Sequence, residues 1–139
     1  MKTYQHIASL LLRLALATGF LSAVASRLGL WGQQSSGWEK FLQYTAQVNS
    51  FAPKKMIPAL AVASTILETL LGILLLLGFK TSLAATGAMI LTCLFAVSMT
   101  YSFGLKEPLD YSVFVFSAAA FLLATMPSGK WSIDQYLTK

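Results

Sequence analysis

Residues 56–79 form an apolar run interrupted near its middle by a single acid, Glu68. A helix of about 20 residues rises ~30 Å, the thickness of a bilayer's hydrocarbon core, so this run is long enough to span one. A carboxylate at the centre of a span costs roughly 2.5–3.5 kcal/mol on insertion scales, so it has to face protein or water rather than lipid. Helical spacing puts Ala61, Ser64, Thr65, Glu68 and Gly72 on one face, opposite a leucine-rich one. Small residues on that face let a neighbouring helix approach closely. The acid among them is either the anchoring half of a buried pair or part of a functional site.

Composition points the same way. The chain has 139 residues, room for one domain, and is 56% hydrophobic with 11% charged. Soluble domains carry about 25% charged residues, so this chain lacks the polar surface to stay in water. Its net charge of +5 comes from lysines and arginines beside apolar runs, where membrane anchors meet headgroups. No basic block with interleaved aromatics supports nucleic-acid binding.

Three further runs complete the pattern. Residues 6–30 hold Arg13 and end near Arg27. The run is long enough for a first span, although Lys2, Arg13 and the Ala23-Val24-Ala25 triplet also suit a signal peptide, and we read it as retained. Trp38–Val48 places Trp38, Phe41, Leu42, Thr45 and Val48 at helical period. This predicts a short amphipathic helix at the interface, with an irregular loop as the alternative. Gly78-Phe79-Lys80-Thr81 makes a tight turn into a third span, where Ala84, Ala88, Thr92, Ala96 and Thr100 form a small-residue packing stripe. Pro127-Ser128-Gly129 stops the fourth run.

The expected architecture is all-α, a four-helix transmembrane bundle with a short amphipathic interfacial helix between the first two spans. The spans are expected at about 7–29, 56–79, 82–103 and 109–126. Even parity puts both termini on one side. Lys2, Lys80, Lys130 and Lys139 fall there, against Arg27, Lys40, Lys54, Lys55 and Lys106 opposite. That count slightly favours termini outside, by too small a margin to set the orientation.

Arg13 and Glu68 are the charges that fall well inside spans. Counting rise along two antiparallel helices puts their Cα depths roughly 7 Å apart, within reach of a long guanidinium stem. The expectation is an Arg13–Glu68 pair, with Ser64 and Thr65 beside it. Its role is either to fix helix order or to form a polar site for a quinone head, a proton or a sulfur oxyanion. A second candidate site gathers Lys106, Glu107, Asp110 and Tyr111 at the opposite membrane face. There Asp110 reads first as a helix N-cap, with a substrate-facing role as the alternative.

His6 reads as interfacial and Cys93 as a small packing residue. Tyr44, Tyr101 and Tyr111 suit an aromatic belt. No metal cluster, nucleophile–base pair, CxxC or phosphate loop appears, so the sequence contains no catalytic constellation of its own.

Several ordered motifs resemble the DoxX family of small bacterial membrane proteins. They are Phe51-Ala52-Pro53; Glu68-Thr69-Leu70-Leu71-Gly72; Leu75-Leu76-Leu77-Gly78 with Thr81; and Leu105-Lys106-Glu107-Pro108-Leu109-Asp110-Tyr111 with Ala118, Ala119, Ala120 and Phe121 behind it. Arg13 with Gly19 also fits. The resemblance implies a four-helix bundle in the bacterial inner membrane with cytoplasmic termini. It further implies a link to respiratory and sulfur metabolism. The family's namesake is a small subunit of a thiosulfate:quinone oxidoreductase, and some relatives are membrane partners of thiol-handling proteins. On that basis the expected role is an auxiliary or quinone-associated subunit that meets a redox partner protein, with homo-oligomerisation left open. A small proton-coupled transporter and a purely structural assembly protein are the alternatives.

Overall fold

The computed structural model describes residues 1–138, so Lys139 lies outside the described residues. In chain order the helices are α1 (Thr3–Arg27), α2 (Trp38–Val48), α3 (Ile57–Leu77), α4 (Thr81–Phe103), α5 (Lys106–Asp110), α6 (Val113–Thr125) and α7 (Ile133–Leu137). The four long elements α1, α3, α4 and α6 form one helical bundle, and α2 is the short helix expected between the first two spans.

α1 and α3 lie antiparallel, and the small face of α3 sets how close they come. A Cβ at Gly72 would sit 2.9 Å from Leu21 Cγ and 3.5 Å from the Ala17 carbonyl oxygen. The alanine stripe of α4 packs as expected: Ala84, Ala88, Thr92 and Ala96 are buried, and Ala120 and Leu123 of α6 join the same core. Phe20 of α1 meets Phe116 of α6 edge-on, with ring centroids 5.0 Å apart. Cys93 lies on α4 with its Sγ 2.9 Å from Ser117 Oγ on α6, and is otherwise exposed.

On the outer faces Ile66, Leu70, Leu83, Val97, Val115 and Phe121 are all exposed. Water would penalise this much apolar surface, whereas lipid solvates it at no cost.

α1, α3 and α4 are each long and apolar enough to cross a membrane. The fourth expected span, 109–126, is shorter than predicted. Asp110 closes the small helix α5, and Ser112 takes a left-handed φ of 56°. The helix then restarts at Val113 and runs 13 residues, a rise of ~20 Å. Asp110 is therefore not the N-cap of the fourth helix.

The start of α1 and the described C-terminal segment lie at one end, where His6 Nδ1 accepts a hydrogen bond from the Lys130 N–H at 3.0 Å. The turn between α3 and α4 is at this end too. Gly78 (φ 69°) ends α3, donating its N–H to the Leu75 carbonyl while Phe79 donates to Leu74, which satisfies two of the last carbonyls. Asp134, in the C-terminal tail, accepts from the Lys80 and Thr81 N–H groups at 2.6 and 2.7 Å and so caps α4 from a distance in sequence.

Candidate functional site

The expected Arg13–Glu68 pair does not form. Arg13 is buried, but it points toward the terminal end. Its Nε donates to the Leu75 carbonyl at 3.0 Å, Nη2 to Leu76 at 3.0 Å and Nη1 to Trp131 at 3.1 Å. Leu75 and Leu76 belong to the last turn of α3, where carbonyls have lone pairs to spare and the dipole end is negative. Arg13 therefore clamps α1, α3 and the C-terminal tail together.

Glu68 pairs instead with Arg27, whose Nη1 donates to both Glu68 Oε2 and Thr65 Oγ1, the latter at 3.1 Å. The reason lies in the register of the two helices. Gly72 faces Ala17 and Leu21, so Glu68, one turn nearer the start of α3, lies level with α1 about one turn beyond Leu21 and much nearer Arg27 than Arg13. Each Cα–Cβ bond tilts toward the N-terminus of its own helix. In an antiparallel pair, Arg27 leans back from the end of α1 while Glu68 leans toward the start of α3, and the two converge. Arg13 leans in the same direction as Arg27, but from its place on the terminal side of Glu68 that carries its guanidinium away from the acid, onto the last turn of α3. Depth counted from the expected span ends ranks Arg13 as the partner, because those ends do not give the register in which α1 and α3 pack. Arg27 and Glu68 are only 9% and 4% exposed, so the pair sits inside the protein rather than in lipid.

Further contacts hold the pair in place. The Arg27 guanidinium carbon stands 3.7 Å above the centroid of the Phe41 ring, so α2 covers its face. Thr65 donates its own hydroxyl hydrogen to the Ala61 carbonyl at 2.8 Å, which turns the lone pairs of Oγ1 toward Arg27. Among the described residues Arg27 Nε and Nη2, and Glu68 Oε1, have no hydrogen-bond partner. One donor edge and one acceptor atom are left for something else.

That something has room. Arg27 and Glu68 line a cleft of about 810 Å³ among α1, α2, α3, α4 and α6. Its walls are mostly apolar, including Phe20, Leu91, Phe95 and Phe116, with Tyr44, Thr92 and Ser98 as scattered polar groups. The cleft exists because α6 is short. Phe116 stands level with Phe20, and the helix starts only three residues before it, ~5 Å, whereas Arg27 lies ~10 Å beyond Phe20. At this level α2 replaces the missing helical wall. Val48 and Thr45 are buried, Tyr44 stacks on Phe103, and Ser102 Oγ donates to the Val48 carbonyl at 2.5 Å. Burial, with Tyr111 and Glu107 nearby, pushes the Tyr44 phenol up to about 12.

The candidate residues from the sequence therefore sort differently. Glu68 and Ser64 line the cleft, and Thr65 positions Arg27. Arg13 belongs to the terminal clamp. Of the second group, Tyr111 lines the same cleft, so the two sites are not separate. Lys106 and Asp110 pair with each other on the exposed side of α5. Arg27, Phe41 and Tyr44 were not expected in the site. A signal for Arg27 was present: Ser9, Arg13, Leu16, Phe20, Val24 and Arg27 form one buried stripe of α1, so both arginines face inward.

Apolar helices around a buried ion pair, with an apolar exterior, define a multi-pass membrane protein with an internal polar site. The chain belongs to the DoxX family, whose sequence model matches residues 8–101. The match runs from α1 nearly to the end of α4 and so includes Arg27, Glu68 and most of the cleft. The chain matches no curated protein and no solved structure.

Proposed function

We propose that this chain is an auxiliary, quinone-associated membrane subunit of a bacterial redox or sulfur-metabolism system. It sits in the inner membrane with cytoplasmic termini, and the Arg27–Glu68 cleft is its ligand site. The observation that carries this reading is a large apolar cleft whose wall bears a buried pair with unused hydrogen-bonding capacity. Its volume falls in the usual range of small-molecule sites, ~300–1,000 Å³.

The residues fit a quinone. Arg27 Nε and Nη2 can donate to a ring oxygen, Glu68 Oε1 can accept from a hydroxyl, and Tyr44 can do either. Phe41, Phe95 and Phe116 supply flat apolar contact. A bound quinone supplies two-electron, two-proton redox chemistry. The chain binds and orients the head, keeps Arg27 neutralised, and excludes water with α2. Among the described residues no group of His, Cys, Asp and Glu could hold a metal ion, and in this reading a partner protein delivers the electrons.

Glu68 carrying a proton through a small transporter is the second reading. It has less support, because α3 runs unbroken through Glu68 and the acid is held in an ion pair.

Purification in mild detergent, with extraction of bound quinone from wild type and Glu68→Gln, tests the proposal. Wild type should carry quinone and the variant should lose most of it. A stable protein partner with no small molecule in either form would favour the assembly role instead.

A further inference from the structure

The cleft also has a side that the bundle leaves open. Near the α3–α4 turn the two helices touch closely: a Cβ at Gly87 would lie 3.0 Å from Leu71 Cδ2, and Leu71 is 8% exposed. One turn further along the same stripe Leu67 is 44% exposed, and on the facing helix Leu94 is 59% exposed. Both of these leucines line the cleft. Leu67 and Leu94 thus each have one side on the cleft and another open to the outer apolar surface. Among the described residues, Arg27 and Glu68 are the charged groups that line the cleft. Deeper in, Arg27 is already neutralised by Glu68, so an added anion would leave an unpaired negative charge in an apolar wall, which is heavily penalised.

Resting on the reading above, we propose that the cleft takes a neutral, hydrocarbon-tailed molecule directly from the bilayer through the gap between α3 and α4. Its polar head lies at Arg27–Glu68 and its tail between Leu67 and Leu94. Small sulfur oxyanions do not enter, so any anionic substrate is handled by the partner protein.

Native mass spectrometry of the full chain in mild detergent tests this with four probes: an alkyl-tailed benzoquinone, the same head without a tail, thiosulfate, and a phospholipid. Wild type should hold the tailed quinone, with the tail-less head bound about tenfold more weakly or worse. Leu67→Trp fills the gap from α3, and Leu94→Trp fills it independently from α4, so that one variant suffices if the other misfolds. Each should weaken the tailed quinone about tenfold. Leu70→Trp, on the lipid face beside the gap, should change nothing. Thiosulfate should neither bind nor compete.

Full retention of the tailed quinone by a folded Leu67→Trp or Leu94→Trp protein overturns the route. Displacement by thiosulfate overturns the ligand class, as does a phospholipid that quinone cannot displace. If wild type binds no quinone, or Glu68→Gln binds it equally well, the underlying reading of the cleft fails instead.

Discussion

Arg13 and Arg27 share one helix face, yet their partners differ completely. Arg13 spends its hydrogen bonds on carbonyls at the end of α3, and Arg27 on a carboxylate. The identity of Glu68 as a buried polar centre was legible from residue type and position alone, because hydrocarbon admits no unpaired charge. Its partner was not, because rise was counted from the expected span ends, whereas the packing of Gly72 against Ala17 and Leu21 sets a register that brings Arg27 to Glu68. Two predictions belong at this scale. Gly78 combines a left-handed φ with a Cβ position only 2.6 Å from Arg13 Nη2 and from Ser132 Cβ. Gly78→Ala should therefore cost more than ~1 kcal/mol of unfolding free energy in detergent, because strain and the disturbed clamp act together. Tyr44 should ionise near 12 rather than near the ordinary value of 10. In alkaline absorbance titration, Tyr44→Phe should remove a tyrosinate step near 12.

Among the elements, α2 was the most legible, since its bounds follow the apolar period of Trp38–Val48. The start of the fourth helix was the least. An apolar run gives no sign of the left-handed residue at Ser112 that separates α5 from α6, and the cleft owes its space to that break. The tail was also opaque. Asp134 reads locally as part of a polar end, whereas in the fold it caps α4 across a wide sequence separation. Its carboxyl lies below the ordinary 3.8: partial burial pushes it up, but hydrogen bonds from Thr81 and Lys80 and the nearby Arg13 outweigh that. A lowered folded value means that Asp134 contributes its full stabilisation above the unfolded value and loses it as pH falls through the lower, folded one. Asp134→Asn should lower stability at neutral pH by ~1 kcal/mol, as lost caps do. The gap from wild type should narrow in acid-unfolding curves recorded below pH 3.8.

For the molecule as a whole, lipid makes the architecture easy to read and the site hard. A bilayer forces backbone groups into helices, so long apolar runs translate almost directly into bundle walls. The lining of the cleft depends on how the helices assemble, which no local pattern encodes, because Leu67 and Leu94 look like any other leucines in a span. The account rests on Glu68 being partnered by Arg27 inside the protein. A double-mutant cycle on unfolding in detergent measures this directly, using Arg27→Gln, Arg13→Gln and Glu68→Gln singly and in pairs. The expected result is a coupling of about 1–3 kcal/mol between Arg27 and Glu68 and none beyond error between Arg13 and Glu68. Coupling of Glu68 to Arg13, with Arg27 additive, would contradict it.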